Sequence, residues 1–217
     1  MTVAARDATL ATILAANRII PVITIDRIAD AVPLACALVA GGVTALEVTL
    51  RTPVALDAAR AIISEVPDAI VGLGTVTRAA DLDAAERIGA RFVISPGMTP
   101  ALLGAAAQRA LPYLPGIATG SELMAAMEAG FSTVKFFPAV PAGGIAAIRA
   151  LAGPFPDARF CPTGGIAEAH AAEWLAVPAI VAVGGSWLAP TELIRAGDWA
   201  GITAIARRTL ATLPTRV

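Results

Sequence analysis

The sequence predicts an α/β protein: a single-domain, eight-stranded β/α (TIM) barrel over residues 1–217, with an extra helix at its N-terminus. Three observations carry this prediction. Eight apolar, β-branched runs recur at a period of roughly 20 to 28 residues, each followed by a turn and most by an obvious helix. Those runs are almost unbroken by polar residues, as strands are when both faces of a parallel sheet are covered. Finally, a chain of 217 residues that is 57% hydrophobic and 15% charged can bury a large core, and no linker-like stretch divides it. A doubly wound open sheet is the alternative that the same alternation allows.

From Asp7 to Asn17, Leu10, Ile13 and Leu14 recur at helical spacing, giving a leading helix that closes one end of the fold. Ile19 to Ile25 is the first β-branched strand, and the alanine-rich helix Ala29 to Ala40 stops at Gly41-Gly42. Strand Ala45 to Leu50 leads to a helix opened by Thr52-Pro53, a capping and first-turn pair. Strand Ile70 to Gly74 precedes a helix from Arg78 to Ile88, and strand Phe92 to Ser95 a helix from about Thr99-Pro100. Pro112 to Ile117 is a proline-edged fifth strand, followed by helix Ser121 to Ala129 and a sixth strand in Thr133 to Pro138. Helix Gly144 to Leu151, strand Arg159 to Pro162, helix Ala167 to Ala176, strand Ala179 to Val183 and a helical region from Asp198 to Leu213 complete the pattern.

Composition excludes several classes of partner. The net charge is −1 and the arginines are scattered, so no basic stripe is available for nucleic acid. Mean hydropathy is high at +0.73, and the run Trp174 to Thr191 is free of charge. Pro178, Gly184, Gly185 and Pro190 interrupt it, as suits a helix end, a strand and a glycine loop and not a membrane span. The N-terminal stretch carries Arg6 and Asp7 and has no hydrophobic signal core. Cys36 and Cys161 lie in separate apolar segments and make no disulfide framework. The expectation is a soluble cytoplasmic protein with no membrane and no nucleic-acid partner.

Among the 16 basic residues Lys135 is the single lysine, and it stands inside the apolar run Thr133-Val134-Lys135-Phe136-Phe137-Pro138. Burying an ammonium without a partner costs several kcal/mol, so this side chain has to face something. In a barrel the chemistry gathers where strands end. The polar residues there are Glu47, Arg51, Thr75, Ser95, Lys135, Thr163 and Ser186. In Leu46-Glu47-Val48-Thr49-Leu50-Arg51 the period of two puts Glu47, Thr49 and Arg51 on the inward face. Glu47 can be a plain ion-pair partner of Lys135 or Arg51, and Arg51 a rim residue. Together the three supply an acid/base group, an anion clamp and a nucleophile in one polar cup.

Two glycine-rich turns, Pro162-Thr163-Gly164-Gly165-Ile166 and Val183-Gly184-Gly185-Ser186, end the last two strands. Each can be a tight turn, or a place where backbone N–H groups approach an anion. The single histidine, His170, falls in the helix after the seventh strand, on its surface. With one histidine, two separated cysteines and no carboxylate cluster, neither a metal site nor a cofactor is expected.

The chain resembles the 2-keto-3-deoxy-6-phosphogluconate (KDPG) aldolases over nearly its whole length. The resemblance rests on Leu46-Glu47-Val48-Thr49-Leu50-Arg51-Thr52, Gly72-Leu73-Gly74-Thr75-Val76, Ile94-Ser95-Pro96-Gly97, Leu114-Pro115-Gly116-Ile117, Val134-Lys135-Phe136-Phe137-Pro138-Ala139, Arg159 to Ile166 and Gly184-Gly185-Ser186-Trp187-Leu188. It implies a class I aldolase that acts on a small 2-keto acid, phosphorylated in the first instance, and that often accepts 4-hydroxy-2-oxoglutarate. By the same resemblance Lys135 forms a Schiff base and Glu47 is the acid/base. Arg51, Thr75 and Pro96 line the pyruvate end, Thr163, Gly164, Gly165 and Ser186 serve the phosphate end, and Phe137 and Gly185 count with the substrate-binding residues. It further implies a homotrimer. The rival expectations are an isomerase or epimerase working without an imine, and a barrel that binds a sugar-acid phosphate without turning it over.

Overall fold

The structure is a computed structural model that describes residues 2–214; Met1 and residues 215–217 of the expected 1–217 domain lie outside the described residues. Helix α1 (Val3–Asn17) leads into β1 (Ile19–Ile23), a short 3₁₀ turn, α2 (Ala31–Ala40), β2 (Ala45–Thr49) and α3 (Ala55–Glu65). Next come β3 (Ile70–Gly74), α4 (Ala79–Ile88), β4 (Phe92–Ile94), α5 (Pro100–Ala107), β5 (Tyr113–Leu114), β6 (Gly116–Ile117) and α6 (Gly120–Glu128). The chain continues with β7 (Thr133–Phe136), α7 (Gly144–Ala152), β8 (Arg159–Pro162), α8 (Ala171–Leu175), β9 (Val183–Gly185), α9 (Thr191–Ala196) and α10 (Trp199–Ala211).

The closed eight-stranded barrel predicted from the sequence does not form. The strands make a six-stranded half-barrel sheet, ordered β5-β4-β3-β2-β1-β9, and a separate three-stranded sheet, ordered β6-β7-β8. Every pairing in both is parallel. Two local features open the ring. Pro115 has no N–H to give, so the expected fifth strand breaks there, and the chain passes from a pairing with β4 to one with β7. Between β8 and β9 only the isolated bridges Phe160↔Ile180 and Thr163↔Gly184 remain in place of a ladder.

Two boundaries also move. The last strand is Val183–Gly185, not Ala179–Val183, and Gly184 pairs with Ile20. What reads as a glycine turn is therefore itself strand, stripped of side chains. The helix expected at Thr52-Pro53 begins at Ala55, because the Thr52 hydroxyl donates to the carbonyl of Ile25 at 2.6 Å and does not cap. Capping works as the sequence suggests at Thr99, which accepts from the Leu102 N–H ahead of Pro100, and at the reciprocal pair Thr119 and Glu122.

The alternation of the strands divides the core. Outward residues such as Leu46, Val48, Val71, Leu73 and Val93 pack in one cluster with apolar residues of the helices. Inward residues Ile20, Ala45, Phe92, Ile94, Leu114, Cys161 and Ala182 pack with Leu10 and Leu14 of α1, which closes that end as expected. Above this inner layer the inward positions turn polar: Glu47 and Thr49 on β2, Lys135 on β7 and Thr163 after β8 are all buried.

Candidate active site

Lys135 and Glu47 meet in the interior. Nζ lies 3.1 Å from Glu47 Oε1, with the side chains 3% and 1% exposed. Both positions are fixed by ladders. Lys135 pairs with Gly116 on β6 and Cys161 on β8, and Glu47 with Val22 on β1 and Gly72 on β3. The ammonium also stands 5.4 Å over the ring of Phe137, a distance at which the ring face favours a cation. The ion pair that the sequence allows is present here, whereas Arg51, the third member of the expected cup, lines a cavity whose lining includes neither Lys135 nor Glu47.

The thiol of Cys161 shares this pocket of charge. Burial pushes its pKa up to about 12, while nearby Lys135 pulls it down, Glu47 pushes it up, and a hydrogen bond with Thr163 lowers it. Desolvation dominates, so Cys161 stays a neutral thiol beside the pair.

A cavity of about 120 Å³ opens nearby, lined by seven of the expected site residues, Arg51, Phe137, Thr163, Gly164, Gly165, Gly185 and Ser186. Thr75 holds Arg51 in place, its hydroxyl accepting from the Arg51 Nε–H at 3.1 Å. Pro96 is not among the lining residues. Its carbonyl carbon would stand 2.4 Å from a Cβ built on Gly116, so its backbone packs against the strand that pairs with Lys135. Ser95, beside it, accepts from the Gly116 N–H at 3.2 Å and lies 2.7 Å from the Tyr113 hydroxyl. That pair bridges the strand break at Pro115.

Gly164 and Gly165 need to be glycine on two counts. Their φ values are 104° and 79°, a region disfavoured for other residues. A Cβ on Gly164 would sit 3.1 Å from the Phe137 ring, and one on Gly165 2.9 Å from Val140 Cβ. Neither glycine stretch runs straight into a long helix: α8 has five residues and α9, starting beyond Ser186, has six. An anion here would be met by backbone N–H groups and the Ser186 hydroxyl, with little help from a helix dipole.

Ile166 and Gly184, of the two glycine-rich segments, also line the cavity, as does Val22, which no motif in the sequence marks. Val22 could have been found from the period of two through Ile20, Val22 and Thr24 on the first strand. His170 lies exposed, 3.5 Å from Glu173. Among the described residues no group of three or more His, Cys, Asp and Glu could hold a metal ion, and no helix is long and apolar enough to cross a membrane.

The family model described as KDPG and KHG aldolase matches residues 10–205. The chain is 51% identical over 193 residues to a 2-dehydro-3-deoxy-phosphogluconate aldolase of Pseudoalteromonas atlantica, covering 89% of this chain and 90% of that one. It is 51% identical over 195 residues to the KHG/KDPG aldolase of Escherichia coli K12, covering 90% and 92%. A solved KDPG aldolase of Legionella pneumophila, with pyruvate captured at low pH as a covalent carbinolamine, is 45% identical. It superposes with a TM-score of 0.90 over 92% of this chain and 97% of that chain. By sequence and by structure, the chain belongs to the KDPG and KHG aldolase family.

Proposed function

We propose that this chain is a class I aldolase, a carbon–carbon lyase that cleaves 2-keto-3-deoxy-6-phosphogluconate to pyruvate and glyceraldehyde 3-phosphate through an imine on Lys135. The observation that carries this reading is the buried contact of 3.1 Å between Lys135 Nζ and Glu47 Oε1, with Phe137, whose ring Lys135 faces, lining a small cavity. The captured carbinolamine in the Legionella relative supports it, since such an adduct needs an amine, and this chain has a single lysine.

Lys135, having passed a proton on, adds to the C2 keto carbon of the substrate, and loss of water leaves a protonated imine. The imine draws electrons from the C3–C4 bond. Glu47, directly or through a water, takes the proton of the C4 hydroxyl. The C3–C4 bond breaks, the C4 oxygen becomes the aldehyde of glyceraldehyde 3-phosphate, and the electron pair stays as an enamine on the three-carbon fragment. Protonation at C3 and hydrolysis then release pyruvate and restore the amine. Arg51, held by Thr75, receives the substrate carboxylate. Pro96 and Phe137 bound the pyruvate end. Thr163, Gly164, Gly165, Gly185 and Ser186 take the phosphate.

4-Hydroxy-2-oxoglutarate is a second substrate in this reading, supported by the E. coli relative that bears both names. Residues 1–217 act as one domain. The assembly is a homotrimer, on family resemblance, and the compartment is the cytoplasm, in keeping with two free thiols, Cys36 and Cys161.

The test is borohydride reduction in the presence of pyruvate, read by peptide mass. One reduced pyruvyl group on Lys135, with loss of activity, is expected. An unmodified Lys135 would leave Glu47 moving a proton without an imine, and the aldolase mechanism would be lost.

A further inference from the structure

We infer that Gly74 is a positioning residue for Glu47: its missing side chain is the space in which the carboxylate reaches Lys135. This rests on the aldolase reading above and adds to it a residue that acts through Glu47.

A Cβ built on Gly74 would lie 2.2 Å from Glu47 Oε1, 2.6 Å from Cγ and 2.8 Å from Cδ. Oε1 is the same oxygen that faces Lys135 Nζ. Glu47 is 1% exposed, so its carboxylate cannot swing out into solvent. Gly74 adopts no positive φ and sits in a regular parallel ladder opposite Thr49, so alanine fits its backbone. The obstacle to a side chain at 74 is therefore the glutamate itself. Of the two other inward positions of β3, Ile70 packs against the inner cluster and Gly72 faces a ring. A Cβ on Gly72 would meet the Phe92 ring at 2.1 Å, which makes Gly72 a matter of core packing. Glu47 thus runs along a strand whose inward face carries no side chain at positions 72 and 74, and Gly74 leaves room for the acid end.

To restore ordinary contact, Oε1 would have to shift by about 1 Å, a displacement that costs on the order of 100-fold when it misplaces a catalytic group. The test is a double-mutant cycle on the full-length enzyme. Gly74→Ala should lower kcat for cleavage about 100-fold with KM little changed, and pyruvate with borohydride should still label Lys135. Glu47→Ala removes Oε1, Cγ and Cδ, the three atoms that a Cβ at position 74 would meet, and leaves the crowded space empty while residual cleavage is still read. In that background Gly74→Ala should cost less than about threefold. A merely structural glycine would give the same loss in both backgrounds, and that result overturns the inference, as does Gly74→Ala staying within about threefold of the unsubstituted enzyme. If Gly74→Ala does not fold, the double variant must fold, because its acid has vacated the space; failure of both to fold also overturns it. An unlabelled Lys135 in the unsubstituted enzyme defeats the aldolase mechanism and the role of Gly74 together, whereas a labelled Lys135 with equal losses across the cycle defeats the role of Gly74 alone.

Discussion

Arg51 and Thr75 meet across the ends of β2 and β3, where the arginine Nε–H donates to the threonine hydroxyl at 3.1 Å and Thr75 holds φ at 59°. A β-branched side chain in the left-handed region is an outlier, at a cost of order 1–3 kcal/mol. The backbone that turns the Thr75 hydroxyl toward the guanidinium is thus held against its own preference.

Stability and substrate binding should respond to Thr75 with opposite signs. Thr75→Gly removes the left-handed penalty, offset by roughly 0.5–1 kcal/mol of extra chain entropy, and so should raise Tm by about 2–4 °C for a chain of this size. It also frees Arg51, so KM should rise about tenfold for every 2-keto acid, with Thr75→Ser keeping KM near its starting value. Thermal scans and steady-state kinetics on the same preparations decide this. A lowered Tm, or an unchanged KM, would count against the arrangement.

The far end of the lysine strand supplies a second prediction. Asp7 of α1 accepts from the Ser132 hydroxyl at 2.7 Å, the Thr133 N–H at 3.1 Å, the Thr133 hydroxyl at 3.2 Å and the Ser132 N–H at 3.3 Å. Asn17, at the other end of the helix, accepts from the Thr44 hydroxyl and from the Thr44 and Ala45 N–H groups. The helix therefore pins the first residues of both strands that carry the Lys135–Glu47 pair. Asp7→Ala leaves buried donors without an acceptor and should cost about 2–4 kcal/mol, read as a lower urea midpoint. In the absence of urea, kcat should remain within about threefold, because the upper ladders still fix Lys135 and Glu47.

Alkaline pH should unfold the protein through two buried acids. Burial raises Tyr113 to about 12, against a smaller lowering by its hydrogen bond to Ser95, and Cys161 likewise goes to about 12. Both are neutral when protonated and have raised folded-state values. Their contribution to stability is thus complete below about pH 9, where the unfolded groups also keep their protons, and is lost progressively between about pH 9 and 12. Tyr113 is the single tyrosine, so absorbance at 295 nm reports it directly. Tyrosinate should appear together with loss of secondary structure, above pH 10. Ionisation near pH 10 in a still folded protein would show that Tyr113 is not sealed off.

The site was more legible than the closure of the fold. Glu47 and Lys135 stand out because each interrupts an apolar, period-two strand, and an interruption of that kind is local information. Whether the strands close into a ring depends on partners far apart in the chain. Pro115 is visible as a strand breaker, yet that it hands the chain from β4 to β7 is set by pairing. Val183-Gly184-Gly185 looks like a turn because glycine signals turns. Here glycine is strand, since a Cβ on Gly184 would lie 2.2 Å from Thr163 Oγ1 and one on Gly185 1.7 Å from the Trp187 ring. Gly74 is silent for the same reason: a glycine that makes room for a distant side chain leaves no mark in its own neighbourhood.

The proposed division of the site into a carboxylate end and a phosphate end gives the last prediction, and the structure chooses the variant that tests it. Gly165→Val would introduce a side chain at φ 79°, with its Cβ 2.9 Å from Val140 Cβ, so a loss of activity there would be dominated by backbone damage. Ser186 is exposed and lines the cavity, and its side chain can change without disturbing the core. Ser186→Asp places a negative charge where the phosphate is assigned, with like-charge repulsion as the consequence. KM for the phosphorylated keto acid should rise about 10- to 100-fold, while the same keto acid lacking its phosphate changes less than about threefold. The pyruvate adduct on Lys135 should form as before. Arg51→Ala should do the reverse and weaken all 2-keto acids alike, since each carries the carboxylate that the proposed function assigns to Arg51. Equal effects of Ser186→Asp on both substrates, or none on either in a folded protein, would remove the phosphate from this end and leave the glycine segments as tight backbone alone.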